Sequence, residues 1–141
     1  MVERGGYLSM AEKVLVVGEV AEGKLRNVSY EAIAVAKEIA QDAEIVGVLL
    51  GERVGNLAGD LIAHGADRVT IVEHDKLKYY TPDGFTQALM AVIEKENPDG
   101  IVLGHTSIGK DLAPRIATKL DAGLVSDITA VEVVGENVVY T

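Results

Sequence analysis

Four short runs of aliphatic residues, each followed by a segment of helical periodicity, constrain this chain more than any other feature. The runs are Lys13–Val20 (KVLVVGEV), Ile45–Leu50 (IVGVLL), Arg68–Val72 (RVTIV) and Ile101–Leu103 (IVL). Continuous apolar runs are what strands covered on both faces require, because neither face meets water. Strands of that kind alternating with helices imply right-handed crossovers and a mostly parallel, doubly wound α/β sheet.

The segments between the runs supply the helices. Ser29 is placed to N-cap a first helix with Ala32, Val35, Ala36 and Ile39 on its apolar face. Leu57, Ala58, Leu61 and Ile62 form the apolar face of a short second helix, stopped by His64-Gly65. Thr81-Pro82 starts a third helix with Phe85, Ala88, Leu89, Val92 and Ile93 buried, and Asn97–Gly100 ends it in a turn. A polar loop, Gly104–Gly109, precedes a fourth helix over Asp111–Leu120, with Pro114 in its first turn.

The tail changes character. Thr129–Val134 alternates apolar and polar residues, Gly135-Glu136-Asn137 is a hairpin turn, and Val138–Thr141 begins a return strand, giving a C-terminal β-ribbon. Residues 1–10 read as a leader without fixed structure and residues 11–141 as one α/β domain. Because the sequence ends inside the return strand at Thr141, it is expected to continue into a further domain or to have its ribbon completed by a partner. A ribbon left open at its edge also favours self-association of this segment.

Composition removes several functions. The net charge is −9 and the 13 basic residues are scattered with no adjacent pair, which disfavours nucleic acid and anionic membranes. No cysteine is present, so thiolate catalysis and cysteine-ligated metals are excluded. No apolar run approaches the roughly 18 residues needed to span a bilayer, and no secretory or transit signal is seen. The chain therefore reads as cytoplasmic, or as a matrix protein if it is eukaryotic. Three well-separated histidines give no metal signature.

One stretch could carry chemistry. Gly104–Lys110, GHTSIGK, follows a strand, opens a helix and matches the first seven positions of a phosphate-binding P-loop. Backbone N–H groups and the helix dipole favour an anion there. The eighth position, however, is Asp111 in place of the magnesium-binding Ser or Thr, and the motif follows the fourth strand instead of the first. Gly104, Thr106, Ser107 and Gly109 are the candidate nucleotide-contacting residues, although capping of the following helix is the preferred reading of Thr106 and Ser107. His105 could act as a general base only if oriented by Asp111 or Asp127. Tyr79-Tyr80 could stack a planar ring or pack against a neighbouring subunit, and packing is preferred. Glu94, Glu96 and Asp99 read as a solvated helix end. Gly18-Glu19-Val20-Ala21, after the first strand, does not form the dinucleotide fingerprint G-x-G-x-x-G. No catalytic or metal-binding residues are assigned.

Three stretches together carry a resemblance: VLVVGEV at Val14–Val20, VTIVEHDKLKYYTPDGFTQAL at Val69–Leu89, and IVLGHTSIGKDLAPRIATKLDAGLVSDITAVE at Ile101–Glu132. The most specific part is GKDLAPRIA at Gly109–Ala117 followed by VSD at Val125–Asp127. The chain resembles the N-terminal domain of the α subunit of electron-transfer flavoproteins. The resemblance implies an adenine nucleotide α-hydrolase-like fold and membership of an FAD heterodimer. Such a heterodimer pairs with a β subunit and carries electrons from flavin dehydrogenases to an acceptor. It also implies that most FAD contacts lie in a second domain beyond Thr141. In the β subunit of that family the related domain binds AMP, whereas the α counterpart serves as scaffold and interface. Gly104–Lys110 would then be a degenerate nucleotide loop. Two alternatives are a stand-alone AMP- or ATP-binding module similar to universal stress proteins, and a small hydrolase built on His105 and an Asp.

Overall fold

The computed structural model describes residues 11–120 together with the strands Gly123–Val125, Ala130–Val134 and Asn137–Val138. The expected leader, the hairpin turn at Gly135-Glu136, Asp127 and the chain end at 139–141 lie outside the described residues.

The sheet is organised on β1 (Lys13–Val17), where Val14, Leu15 and Val16 are wholly buried. β1 pairs in parallel with β4 (Glu44–Gly51) from Lys13↔Glu44 to Val17↔Val48. On its other side it pairs in parallel with β6 (Gly100–Val102), from Val14↔Gly100 to Val16↔Val102. β5 (Arg68–Glu73) lies outside β4, again parallel. A two-residue hairpin, β2 (Val20–Ala21) with β3 (Lys24–Leu25), occupies the end of what reads in sequence as one longer strand. Glu22 and Gly23 turn it at positive φ, 54° and 77°.

Side chains alternate across the sheet with the strand period of two. Val14 and Val16 join a core with Ile33 and Ala36 of α1 (Asn27–Ile39) and Leu61 of α2 (Ala58–Ala63). Leu15 and Val17 join the opposite core with Leu89 of α3 (Pro82–Glu96) and Leu112 and Ile116 of α4 (Ser107–Leu120). Helices therefore cover both faces, and the sheet is doubly wound as expected. Each fully buried aliphatic side chain contributes roughly 1.5–3 kcal/mol, so the two aliphatic cores hold the layers together with little aromatic content.

The tail forms the expected ribbon, and the ribbon belongs to the sheet. β8 (Ala130–Val134) pairs antiparallel with β6, Ile101↔Val131, and with β9 (Asn137–Val138), Val133↔Val138. β7 (Gly123–Val125), too short to show a pattern, pairs antiparallel with β8. The main order is β5-β4-β1-β6-β8-β7.

Four local expectations are corrected. Ser29 does not cap α1. The N-cap is Arg26, with no side-chain bond, and Ser29 is buried inside the helix, where its Oγ bonds the backbone of Glu19. Ile62 is 50% exposed, because α2 is only six residues long and the i, i+4 pair Leu57 and Leu61 fills the core. α4 begins at Ser107, four residues before Asp111, so Pro114 lies in its interior. Pro114 is on the exposed face, where water can serve the Lys110 carbonyl that loses its donor.

The fourth correction concerns the acidic helix end. Glu94 is exposed, but Glu96 is buried, its side chain 4% exposed. Arg68 donates from Nη2 to Glu96 Oε1 at 2.6 Å and from Nη1 to Oε2 at 3.0 Å, and Thr70 Oγ1 donates to Oε2 at 3.0 Å. Lys13 Nζ reaches Oε1 at 3.4 Å and the Glu96 carbonyl at 2.9 Å. Arg68 also donates from Nε to Glu44 at 3.1 Å. Hydrogen bonding by Arg68 first, then by Thr70 and Lys13, outweighs burial and lowers the Glu96 carboxyl to about 2. Asp99 accepts from the backbone N–H groups of Glu12 at 2.8 Å and Lys13 at 3.2 Å. These groups tie the C-terminus of α3 to the start of the sheet, opposite the end where ligands bind in such folds.

Candidate functional site

In doubly wound sheets ligands bind beyond the carboxyl ends of the strands, where successive crossovers leave to opposite faces. Here that switch point lies between β1 and β6. α1, which follows β1, packs on one face, and α4, which follows β6, packs on the other. A cleft of about 500 Å³ opens at this position, between segments 17–23, 50–54 and 77–80, with Phe85, Leu103 and Ile108 among its apolar walls.

Of the four candidate residues, Gly104 and Gly109 line one edge of this cleft, and Thr106 and Ser107 lie outside its lining. Gly104 is buried, and a Cβ there would come within 2.8 Å of Val28 Cγ2. Thr106 is the cap of α4: its Oγ1 accepts from Gly109 N at 3.1 Å, and its carbonyl accepts from Lys110 N at 2.8 Å. Ser107 is the exposed first residue of the helix. Gly109 is buried within the helix, and a Cβ there would overlap the carbonyl oxygen of Gly104. The second glycine of the P-loop-like match thus permits close approach of α4 to the end of β6.

Sequence reading missed the residue that organises this edge. Glu19, two residues beyond β1, accepts a hydrogen bond from Thr106 Oγ1 on Oε1 at 2.6 Å and is paired through Oε2 with Arg26 Nη1. Its backbone is held too. Glu19 N donates to Ser29 Oγ at 2.8 Å, and its carbonyl accepts from Arg26 N at 2.8 Å and Ser29 Oγ at 3.2 Å. The Glu19 side chain is 11% exposed. One signal was legible: a carboxylate directly after an apolar strand, at the position where the fold puts ligands.

Asp111 turns toward the loop before α3. It accepts from Tyr80 Oη at 2.5 Å and from Arg115 Nε at 3.2 Å. Hydrogen bonding by Tyr80 and then Arg115 lowers the Asp111 carboxyl, while burial first and Asp111 second raise the Tyr80 phenol. Tyr80 also packs edge-on against Phe85 with centroids 5.0 Å apart, so it packs within the domain. Tyr79 is 74% exposed. Of the partners considered for His105, Asp111 is committed to Tyr80 and Arg115. His64 ends α2, stacks on Tyr30 at 3.7 Å and donates from Nδ1 to the Asp60 carbonyl at 2.8 Å. His74 caps the turn at Asp75–Leu77, its Nδ1 accepting from Lys76 N at 3.1 Å. Among the described residues no group is arranged to hold a metal ion, and no helix is long and apolar enough to cross a membrane.

Fold and crevice together define a nucleotide-binding-like α/β domain whose switch point is bridged by its own side chains. Comparison with known proteins makes this specific. The electron transfer flavoprotein domain matches residues 14–141. Electron transfer flavoprotein subunit alpha of Bacillus subtilis is 52% identical over 132 residues, 94% of this chain and 41% of that protein. The acryloyl-CoA reductase electron transfer subunit beta of Anaerotignum propionicum is 39% identical over 117 residues, 82% of this chain and 32% of that protein. Electron transfer flavoprotein subunit alpha of Clostridium acetobutylicum is 35% identical over 126 residues, 88% of this chain and 38% of that protein. The chain belongs to the electron transfer flavoprotein family. It spans about two-fifths or less of the length of these relatives.

Proposed function

We propose that this chain is the structural and subunit-interface domain of an electron-transfer flavoprotein α subunit. In that role it holds a β subunit and helps position a flavin bound elsewhere. The whole assembly would carry electrons on FAD from flavin dehydrogenases to an acceptor, and this domain would perform no chemistry itself. Family membership supports the electron-carrier role.

The observation that carries the scaffold reading is the Thr106–Glu19 contact. A nucleotide phosphate or the FAD pyrophosphate at this loop would need the donors that Glu19 already engages, and would sit beside its carboxylate. The residues present do not fit such a group, so we assign the flavin contacts to parts of the protein outside this chain. Gly104, Thr106, Ser107 and Gly109 then form a degenerate nucleotide loop whose glycines serve close packing. The same contact weighs against a stand-alone nucleotide module.

Co-expression tests the proposal. The chain, tagged, should retain the β subunit through purification without the flavin absorbance of the complete heterodimer. Failure to retain the β subunit, or stoichiometric flavin on the chain alone, would overturn it.

A further inference from the structure

We propose that Glu19 is a built-in anion: its carboxylate takes the place and the partners of a ligand phosphate at the switch point, and its charge excludes phosphorylated ligands from this domain. The inference rests on the scaffold reading above and names the residue responsible for it.

Three observations converge on Glu19. The first is position. In this topology a phosphate lies past the end of the first strand and against a helix N-terminus. Glu19 is two residues past β1, and its Oε1 is 2.6 Å from the hydroxyl of Thr106, which caps α4. The second is the identity of its donors. A capping hydroxyl and a guanidinium are groups that hold phosphates, and here Thr106 and Arg26 give both to the carboxylate. The Arg26 donor comes from the N-cap residue of α1, so one carboxylate serves the starts of both helices that flank the switch point. The third is fixation. Three backbone contacts, to Ser29 Oγ twice and to Arg26 N, hold Glu19 where it is. The buried hydroxyl of Ser29 is thereby accounted for as well, since it bonds both the N–H and the carbonyl of Glu19.

Space is not what excludes a nucleotide. The adjoining cleft of about 500 Å³ lies within the range of small-molecule sites and has apolar walls suited to a planar ring. The obstacle is charge, because a phosphate among these donors would sit within a few ångströms of a carboxylate in a poorly hydrated corner.

The test is titration calorimetry of the full 141-residue chain at low ionic strength, with inorganic phosphate and AMP as probes. Wild type, Glu19→Ala, Glu19→Gln and the remote control Glu94→Gln are compared, each checked for folding by near-ultraviolet circular dichroism. Glu19→Ala is expected to bind AMP at least tenfold more tightly than wild type and to gain phosphate binding, with Glu94→Gln unchanged. If Glu19→Ala does not fold, Glu19→Gln carries the test, since it keeps the size and loses the charge. Its affinity for AMP should rise at least threefold. Where wild type binds AMP weakly or not at all, folded Glu19 variants that bind no more tightly overturn the proposal and leave the scaffold reading standing. An equal gain in Glu94→Gln also overturns it, because net charge would then be the cause. Wild type that itself binds AMP tightly and at one equivalent per chain overturns both readings.

Discussion

Thr106 donates its hydroxyl hydrogen to Glu19 at 2.6 Å, joining residues 87 positions apart across the crevice between β1 and β6. The same oxygen accepts the Gly109 N–H, so one side chain caps α4 and binds the segment after β1 to the segment after β6. Thr106→Val keeps the shape and removes both bonds. We expect a loss of about 1–2 kcal/mol in urea unfolding, mostly restored by Thr106→Ser.

Gly109→Ala separates close packing from helix propensity. By propensity alone, alanine in a helix interior is favoured over glycine by about 1 kcal/mol. In this fold the new Cβ would overlap the Gly104 carbonyl oxygen, which is backbone and cannot rotate away. The expected outcome is destabilisation of about 2 kcal/mol or more, read from the thermal or urea midpoint. A stabilised variant would show that α4 does not approach β6 as closely as described.

Acid stability should depend on Glu96. Its carboxyl lies at about 2 in the folded chain, below the ordinary carboxylate value of 4.5. A depressed folded value contributes stability that is complete above the unfolded value and is lost as pH falls from there toward 2. Because Arg68 is 43% exposed, the contribution is discounted to about 2 kcal/mol. Glu96→Gln should lose this amount at pH 7 and show a flatter decline in stability between pH 4.5 and 2, measured by urea unfolding across that range.

The architecture was legible because the strands announce themselves as apolar runs and the helices as stripes with firm punctuation. Thr81 caps α3 through Gly84 N at 3.2 Å, and Asn97 ends it at φ 50°, as Thr-Pro and Asn-Pro signals imply. Glu96 was misread as solvated, although its spacing from Leu89, Val92 and Ile93 places it on the buried stripe. Charge suggested the surface, but its partners Arg68 and Thr70 come from a strand distant in sequence. Ser29 was misread for a similar reason, since its hydroxyl serves Glu19, a contact made only when β1 and α1 pack. Pairing between distant segments has no local signature, so the grouping of Gly104, Thr106 and Gly109 was readable while the contact of Thr106 with Glu19 was not.

Tyr80 offers a spectroscopic check on the loop before α3. Burial and the neighbouring Asp111 carboxylate raise its phenol above the usual range, so the neutral form is held as pH rises. In a 295 nm titration of the native chain, Tyr80 should give an ionisation step above the usual tyrosine range. Tyr80→Phe should abolish that late step.

The claim that this domain is a scaffold whose nucleotide loop is filled from within is tested most directly by what the chain carries. Purified chain is denatured, and the supernatant is resolved by chromatography and quantified against protein. The account predicts no stoichiometric adenine nucleotide or flavin; one equivalent of AMP, ATP or FAD released per chain would contradict it.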